Sequence, residues 1–265
     1  MTARSGNVAG IVGLRATARN AFAQALANRS ALVIQVGVML ANDVAWIAFW
    51  LLFFHRVGTL HGWTSSKLLL LLSVLTTAGG IAIGLLSNAR RVGPMALEGE
   101  LDGVLALPVS PLAHLLLKKV EVTNLGDLLF GLVLFFGFGS PNITRTLIFA
   151  YVVLTSTLMM VGFLVATGSL AFFIGRNEGG ELGFHAMLLL AAYPVDIFAG
   201  AVKIILYTAI PAALMASVPA KLIDHFTIGT AVALGAVGIL FACIGWATFT
   251  LGLRRYTSGS TWSRA

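Results

Sequence analysis

Apolar residues in this chain fall in long unbroken runs rather than in alternation. The runs 31–54, 68–87, 146–174 and 231–253, and one contained within 115–138, each approach the ~20 residues that a helix needs to cross a bilayer. The run 146–174 is long enough to cross at a tilt. A further region, 184–226, is equally apolar but is interrupted by Pro194, Pro211 and Pro219 and contains Asp196 and Lys203. Proline removes a backbone donor and breaks a helix. The pattern there predicts one full span followed by a short re-entrant hairpin, a form that survives at membrane depth only where protein or a wet cavity covers it. The total is six spans. Continuous runs argue against a membrane β-barrel, whose strands alternate with period two.

Residues 1–29 lack the apolar segment of a cleavable signal. They do carry a helical period. Ile11, Leu14, Ala18, Phe22 and Ala25 form one stripe, Thr17, Asn20, Gln24 and Asn28 fall opposite, and Arg15 and Arg19 sit at the border. This predicts an amphipathic helix lying in the membrane interface, with a frayed tail as the alternative. The organisation is then a single all-α polytopic transmembrane domain. It consists of an interfacial helix (1–30), spans one and two (31–87), a polar loop (88–119), spans three and four (120–174), the fifth span with its hairpin (184–226), the sixth span (231–253) and a tail (254–265).

Composition supports this reading. Of 265 residues, 58% are hydrophobic and 10% charged, against roughly 25% charged in a soluble domain. The net charge of +7 has its explanation in topology. With both termini inside, only Arg56, Lys67, Arg145, Lys203 and Lys221 of the 17 basic residues fall outside, as the positive-inside rule requires. The basic residues do not cluster among exposed aromatics, so no nucleic-acid partner is expected. Cys243 is the single cysteine and permits neither an internal disulfide nor a cysteine metal site. No G-x-x-x-x-G-K-[ST], H-E-x-x-H or G-x-S-x-G arrangement occurs, and no Gly-Lys dipeptide. The expected catalytic and metal-ligand sets are therefore empty. The histidines (His55, His61, His114, His185, His225) are scattered near span ends and read as interfacial or structural.

The one long polar connection runs NARRVGPMALEGELDGVLALPVSPLAHLLLKK from residue 88 to 119. Glu98, Glu100 and Asp102 place three acids in five residues. Leu101, Leu105 and Leu107 supply apolar contacts, Pro108 and Pro111 stiffen an extended turn, and Ser110 stands where it would cap the segment begun by Pro111. Short acidic and apolar elements of this kind suit docking onto another protein. The competing view is a solvated connector.

Here the chain resembles a known family. The run GELDGVLALPVSPLAHLL, preceded by Arg90-Arg91, is similar to the G-E-L-D, L-L, P-x-S-P-L pattern of a subgroup of ABC-2 type transporter permeases. Ala192-Tyr193-Pro194, then Ile197-Phe198, then Ile210-Pro211-Ala212-Ala213 resemble that subgroup's Y-P, I-F, I-P-A-A stretch. Leu253-Arg254-Arg255-Tyr256-Thr257-Ser258 resembles its L-R-R-Y-x-S ending. The matches cover residues 90 to 258 in the family's order. Val104 and Ala106 replace bulkier leucines, and the first quarter of the chain agrees only in character.

The resemblance implies a type V exporter-like fold and the permease half of an ATP-driven exporter in the inner (plasma) membrane. Two six-span halves, the second a like or related permease, would enclose the pathway. The loop would dock, as a coupling helix, on a separate nucleotide-binding ABC ATPase subunit present in two copies. ATP and Mg²⁺ would belong to that partner, and this chain would bind no cofactor. The docking residues would be Arg91, Glu98, Gly99, Glu100, Leu101, Asp102, Leu105, Pro108, Ser110 and Pro111. The acids would serve docking or loop shape, and Leu101, Leu105 and Leu107 an apolar grip. Relatives of this kind export drugs, lipids or glycoconjugates, and the apolar spans favour an amphipathic cargo.

Charges within the spans are costly and point to pathway or interface roles. Asp43, beside Asn42, either faces a subunit interface to meet a basic group or polar cargo, or is a hydrogen-bonded acid against another helix. Asp127 lies in the third span. Asp196 and Lys203, seven residues apart, share a face if that stretch is helical. Gly79, Gly80 and Gly84, and Gly235, Gly238 and Gly245, read as close-packing positions. Two other classes remain open. One is a membrane-embedded, metal-dependent lipid-modifying enzyme with Mg²⁺ on the loop acids. The other is a passive channel or assembly scaffold.

Overall fold

The computed structural model describes residues 2–176 and 178–256, with side chains from residue 11 onward. The expected tail beyond Tyr256, including Thr257 and Ser258, and the side chain of Arg4 lie outside the described residues. The described chain is helical throughout, and its only β pairing is a Leu60–Trp63 bridge.

Helix α1 (Thr2–Ala27) is separated from α2 (Arg29–Val57) by one residue, Asn28. The Asn28 side chain accepts the Ala31 amide at 3.1 Å and so caps α2. Helix α2 is 29 residues long and ends at Gly58, whose φ of 77° suits glycine. A tight turn with positive φ at His61 and Gly62 presents Trp63 inward. Helix α3 (Ser65–Gly79), capped by Thr64, continues as a π turn over Gly80–Leu85. Its leucines, Leu68 through Leu72, are all buried, so this span is surrounded by protein.

The polar loop is not extended. A 3₁₀ turn (Ser87–Arg91) leads into α4 (Val92–Leu97), α5 (Asp102–Leu105) and α6 (Pro111–Leu117). The apolar window 115–138 is therefore divided: Leu115–Leu117 close α6, and α7 (Leu125–Phe138) begins later and has 14 residues, about 21 Å. The link to α7 is held by the π turn, where the Gly84 carbonyl accepts the Glu121 amide at 2.8 Å. A Cβ on Gly80 would come 2.5 Å from the Leu128 amide nitrogen, so only glycine permits this α3–α7 approach, and Gly84 faces Asn124. Gly79 faces open space instead of a neighbouring helix.

Helices α8 (Ile143–Ser169) and α9 (Ala171–Ile174) form the longest apolar run, and α10 (Glu178–Ala191) follows with 14 residues. The proline-interrupted region then breaks as expected. A 3₁₀ turn (Val195–Ile197), α11 (Gly200–Tyr207), a π turn (Ala213–Ser217) and α12 (Val218–Asp224) precede α13 (Ile228–Leu253). The freed Val195 amide is not left bare. The Ser217 hydroxyl accepts it at 3.0 Å. Helices α8 and α13 lie backbone to backbone. A Cβ on Gly245 would sit 2.7 Å from the Gly162 carbonyl oxygen, and one on Gly238 3.2 Å from that of Thr155.

Four stretches are long and apolar enough to cross a membrane: Arg29–Val57, Ser65–Leu85, Ile143–Ile174 and Ile228–Leu253. With the shorter apolar helix α7, they make an all-α polytopic membrane protein.

Candidate functional site

The loop between α3 and α7 is a braced platform with an apolar tip. Its base is tied by two bonds to the end of α6: Asn88 Nδ2 donates to the Leu115 carbonyl at 2.8 Å, and Ser87 Oγ to that of Lys119 at 2.9 Å. Val92, Met95 and Ala96 bury one face of α4 against α8 and α9. Gly168 admits Val92 there, since a Cβ would lie 3.2 Å from the valine Cβ. Gly99, at φ 78°, turns the chain between α4 and α5.

Two of the three acids of this loop are bonded within the fold. Arg91 pairs with Glu100 at 3.2 Å. The Tyr256 hydroxyl donates to Asp102 Oδ1 at 2.9 Å. Burial first, then this bond to Asp102, pushes the Tyr256 phenol up to about 12. Two segments 154 residues apart, each similar to an ABC-2 motif, thus meet in one hydrogen bond. Glu98 is exposed. Among the described residues no three His, Cys, Asp or Glu side chains gather at a point that could hold a metal ion. Glu100 and Asp102 are each engaged by a side chain of the same chain, Arg91 and Tyr256.

The expected apolar grip divides in two. Leu101 is 1% exposed and belongs to the core, with Val104 beside it, so Leu101 anchors the loop and offers nothing to a partner. Leu105 and Leu107 are 41% and 43% exposed. Ala106 and Pro108 are exposed beside them, and a Cβ on Gly103 would meet nothing within 4 Å. The outward surface of the 103–108 tip is therefore Gly103 and residues 105–108, with Val104 turned inward. Pro111 stands in the first turn of α6 and Ser110 at its cap position, but the serine side chain makes no cap bond; its carbonyl accepts the His114 amide at 2.9 Å.

Helix α1 lies under this platform. Thr17 Oγ1 is 3.0 Å from His114 Nδ1, and a Cβ on Gly13 would come 3.0 Å from the Val109 side chain. Burial, and to a lesser degree Lys118, holds the His114 imidazole below its ordinary value. Thr17, placed by periodicity on the polar side, is thus on the packed side together with Leu14, Ala18 and Ala21, while Ile11 and Phe22 point outward. A threonine is accommodated there because α6 offers it a histidine partner.

Asp196 and Lys203 come together at 3.1 Å, but not on a shared helical face. The chain between them is a 3₁₀ turn and an extended Phe198–Ala199 link, with Gly200 at φ 59°. Lys221 forms a second ion pair with Asp196, and Trp63 Nε1 donates to it at 2.9 Å. Lys67 adds a pair to Asp224 at 3.8 Å. All of these groups except Lys203 line a cavity of about 490 Å³ at the end of the bundle opposite the loop. The roles of Trp63 and Lys221 are invisible in the sequence, which offers no spacing rule linking residues so far apart. Asp43 is 8% exposed and faces Asp127 of α7, which is 9% exposed.

Across residues 14–260 the chain matches the family model of the ABC-2 family transporter protein. The chain belongs to this family of membrane transport proteins, and is a permease component of an ABC transporter. The match reaches into α1, where the resemblance by motif is one of character only. None of the curated proteins and none of the solved structures matches the chain.

Proposed function

We propose that this chain is one permease half of an ABC exporter, driven through the 103–108 tip by a separate ATP-hydrolysing subunit. One observation carries the reading: an exposed apolar tip on a platform braced at every side. A loop held by Arg91–Glu100, Asp102–Tyr256, Leu101 and α1 transmits a push instead of absorbing it. Two copies of the ATPase subunit would bind ATP and Mg²⁺, and a second permease, like or related, would complete the pathway. In this reading α7 and α10 count as crossings, giving six. The segment from Pro194 to Asp224 is the re-entrant hairpin, and the loop and both termini face the cytoplasm of a cell whose inner membrane holds the complex. The cargo is amphipathic: a drug, lipid or glycoconjugate.

The test is ATP hydrolysis by the complex purified with its neighbouring ATP-binding subunit and placed in lipid. The permease should stimulate hydrolysis, and Leu105→Ser with Leu107→Ser should abolish the stimulation while the permease stays folded. Full stimulation by that variant would take the tip out of the mechanism.

A further inference from the structure

The contact between α2 and α7 holds an arrangement the coupling reading does not use. Asp43 lies midway along α2, and Asp127 in the first turn of α7; the two carboxyl groups are within hydrogen-bonding reach of each other. Both side chains are more than nine-tenths buried. Asp43 Oδ2 and Asp127 Oδ1 are each enclosed with no hydrogen-bond donor. The remaining polar neighbours are amides. Asn124 Nδ2 reaches Asp127 Oδ2 at 3.3 Å, and Asn42 stands beside Asp43. Among the described residues neither acid has a Lys, Arg or His partner within ion-pair distance. Of the other elements packed on this pair, α3 contributes only Lys67, at its far end, and the π turn Gly80–Leu85 has no charged residue. On α1, Arg15 and Arg19 are exposed.

Two bare carboxylates cannot stay in contact in a low-dielectric interior, because neither desolvation nor mutual repulsion is compensated. One positive charge between them removes the repulsion and satisfies both orphaned oxygens, as in other carboxyl dyads. We propose that Asp43 and Asp127 form a buried site for one positive charge, filled by a proton shared between the two carboxyl groups and open to the ammonium head of an amphipathic amine. The site with its proton carries a single negative charge, divided over both residues. An ammonium group would replace the proton and donate one N–H to each acid. The proposal is independent of the ATPase partner, since the permease alone presents the site.

Infrared spectroscopy of the full chain in lipid nanodiscs at neutral pH tests it. The wild type should show a protonated-carboxyl C=O band that shifts in D₂O. Asp43→Asn and Asp127→Asn should each alter or remove that band, because the proton belongs to both residues. Both variants keep side-chain shape, and thermal unfolding checks that they fold. No such band in the wild type, or a band changed by only one of the two variants, overturns the shared proton. Dicyclohexylcarbodiimide gives a second readout. Its central carbon takes the carboxyl oxygen and one nitrogen takes the proton, so mass spectrometry should find an adduct on Asp43 or Asp127 but never on both in one chain. Dodecylammonium protecting against the label, where dodecanol does not, shows the organic cation in the site. Labelling undiminished by dodecylammonium overturns that part and leaves the proton as sole occupant.

Discussion

Leucines 101, 105 and 107 are near neighbours in sequence, yet their replacement should fail in two different ways. Leu101 is fully enclosed, so Leu101→Ala removes core contacts and leaves a cavity, at a cost of roughly 2–5 kcal/mol of stability. Leu105 and Leu107 retain about two-fifths of their surface. Burying a whole leucine is worth roughly 1.5–3 kcal/mol, so covering the exposed fractions of both yields about 1–2.5 kcal/mol. At 1.4 kcal/mol per decade, that is roughly a five- to sixtyfold change in affinity for a docked partner. Leu105→Ser with Leu107→Ser should therefore weaken binding of the ATP-binding subunit by about that factor, measured by titration onto permease in nanodiscs, with unchanged thermal unfolding. Leu101→Ala should lower the unfolding temperature first. If the double variant binds like wild type, or unfolds as readily as Leu101→Ala, the division between anchor and contact surface is wrong.

Three further outcomes rest on the geometry. Gly162→Val forces a side chain between α8 and α13 and should abolish recovery of folded permease in mild detergent, as overpacking at a backbone contact costs roughly 1–3 kcal/mol or more. Burial holds the His114 imidazole below its ordinary value, so the unfolded chain takes up a proton at a higher pH than the folded one. The stability it contributes is present above about pH 6.5 and declines as the pH falls below it; protease sensitivity of α1 should rise on acidification, and Gln in place of His114 should flatten that rise. Trp63→Phe leaves Asp196 with its lysines but without its indole donor. Because Lys221 still reaches the same carboxylate oxygen, it should cost only the net worth of one hydrogen bond, roughly 0.5–1.5 kcal/mol, read as a slightly lower unfolding temperature.

Much of this molecule is legible in its sequence, and the reasons for the remainder are specific. The four long spans announce themselves because lipid demands unbroken apolar helices. Pro194, Pro211 and Pro219 likewise mark the broken segment. The start of α7 is not legible, because Leu115–Leu117 are as apolar as a span while belonging to the loop. Leu101 and Leu105 cannot be told apart by composition. The turn at Gly99 and the four-residue length of α5 decide which one points inward. Asp43 and Asp127 are each conspicuous as acids in apolar runs, but their meeting depends on how α2 crosses α7. That crossing is set by Gly126, which faces Met39 and Val36. The pairing of Asp102 with Tyr256 is long-range in the same sense; the motifs supply both residues and no hint that they touch.

The central claim concerns what the 103–108 surface meets. A benzophenone probe on Ala106→Cys, in a Cys243→Ser background, should join the permease to the ATP-binding subunit on illumination of the intact complex, identified by mass spectrometry. The same probe on Leu182→Cys, exposed on α10, should not. An intact complex in which the probe at 106 reaches only solvent, lipid or its own chain would contradict the account.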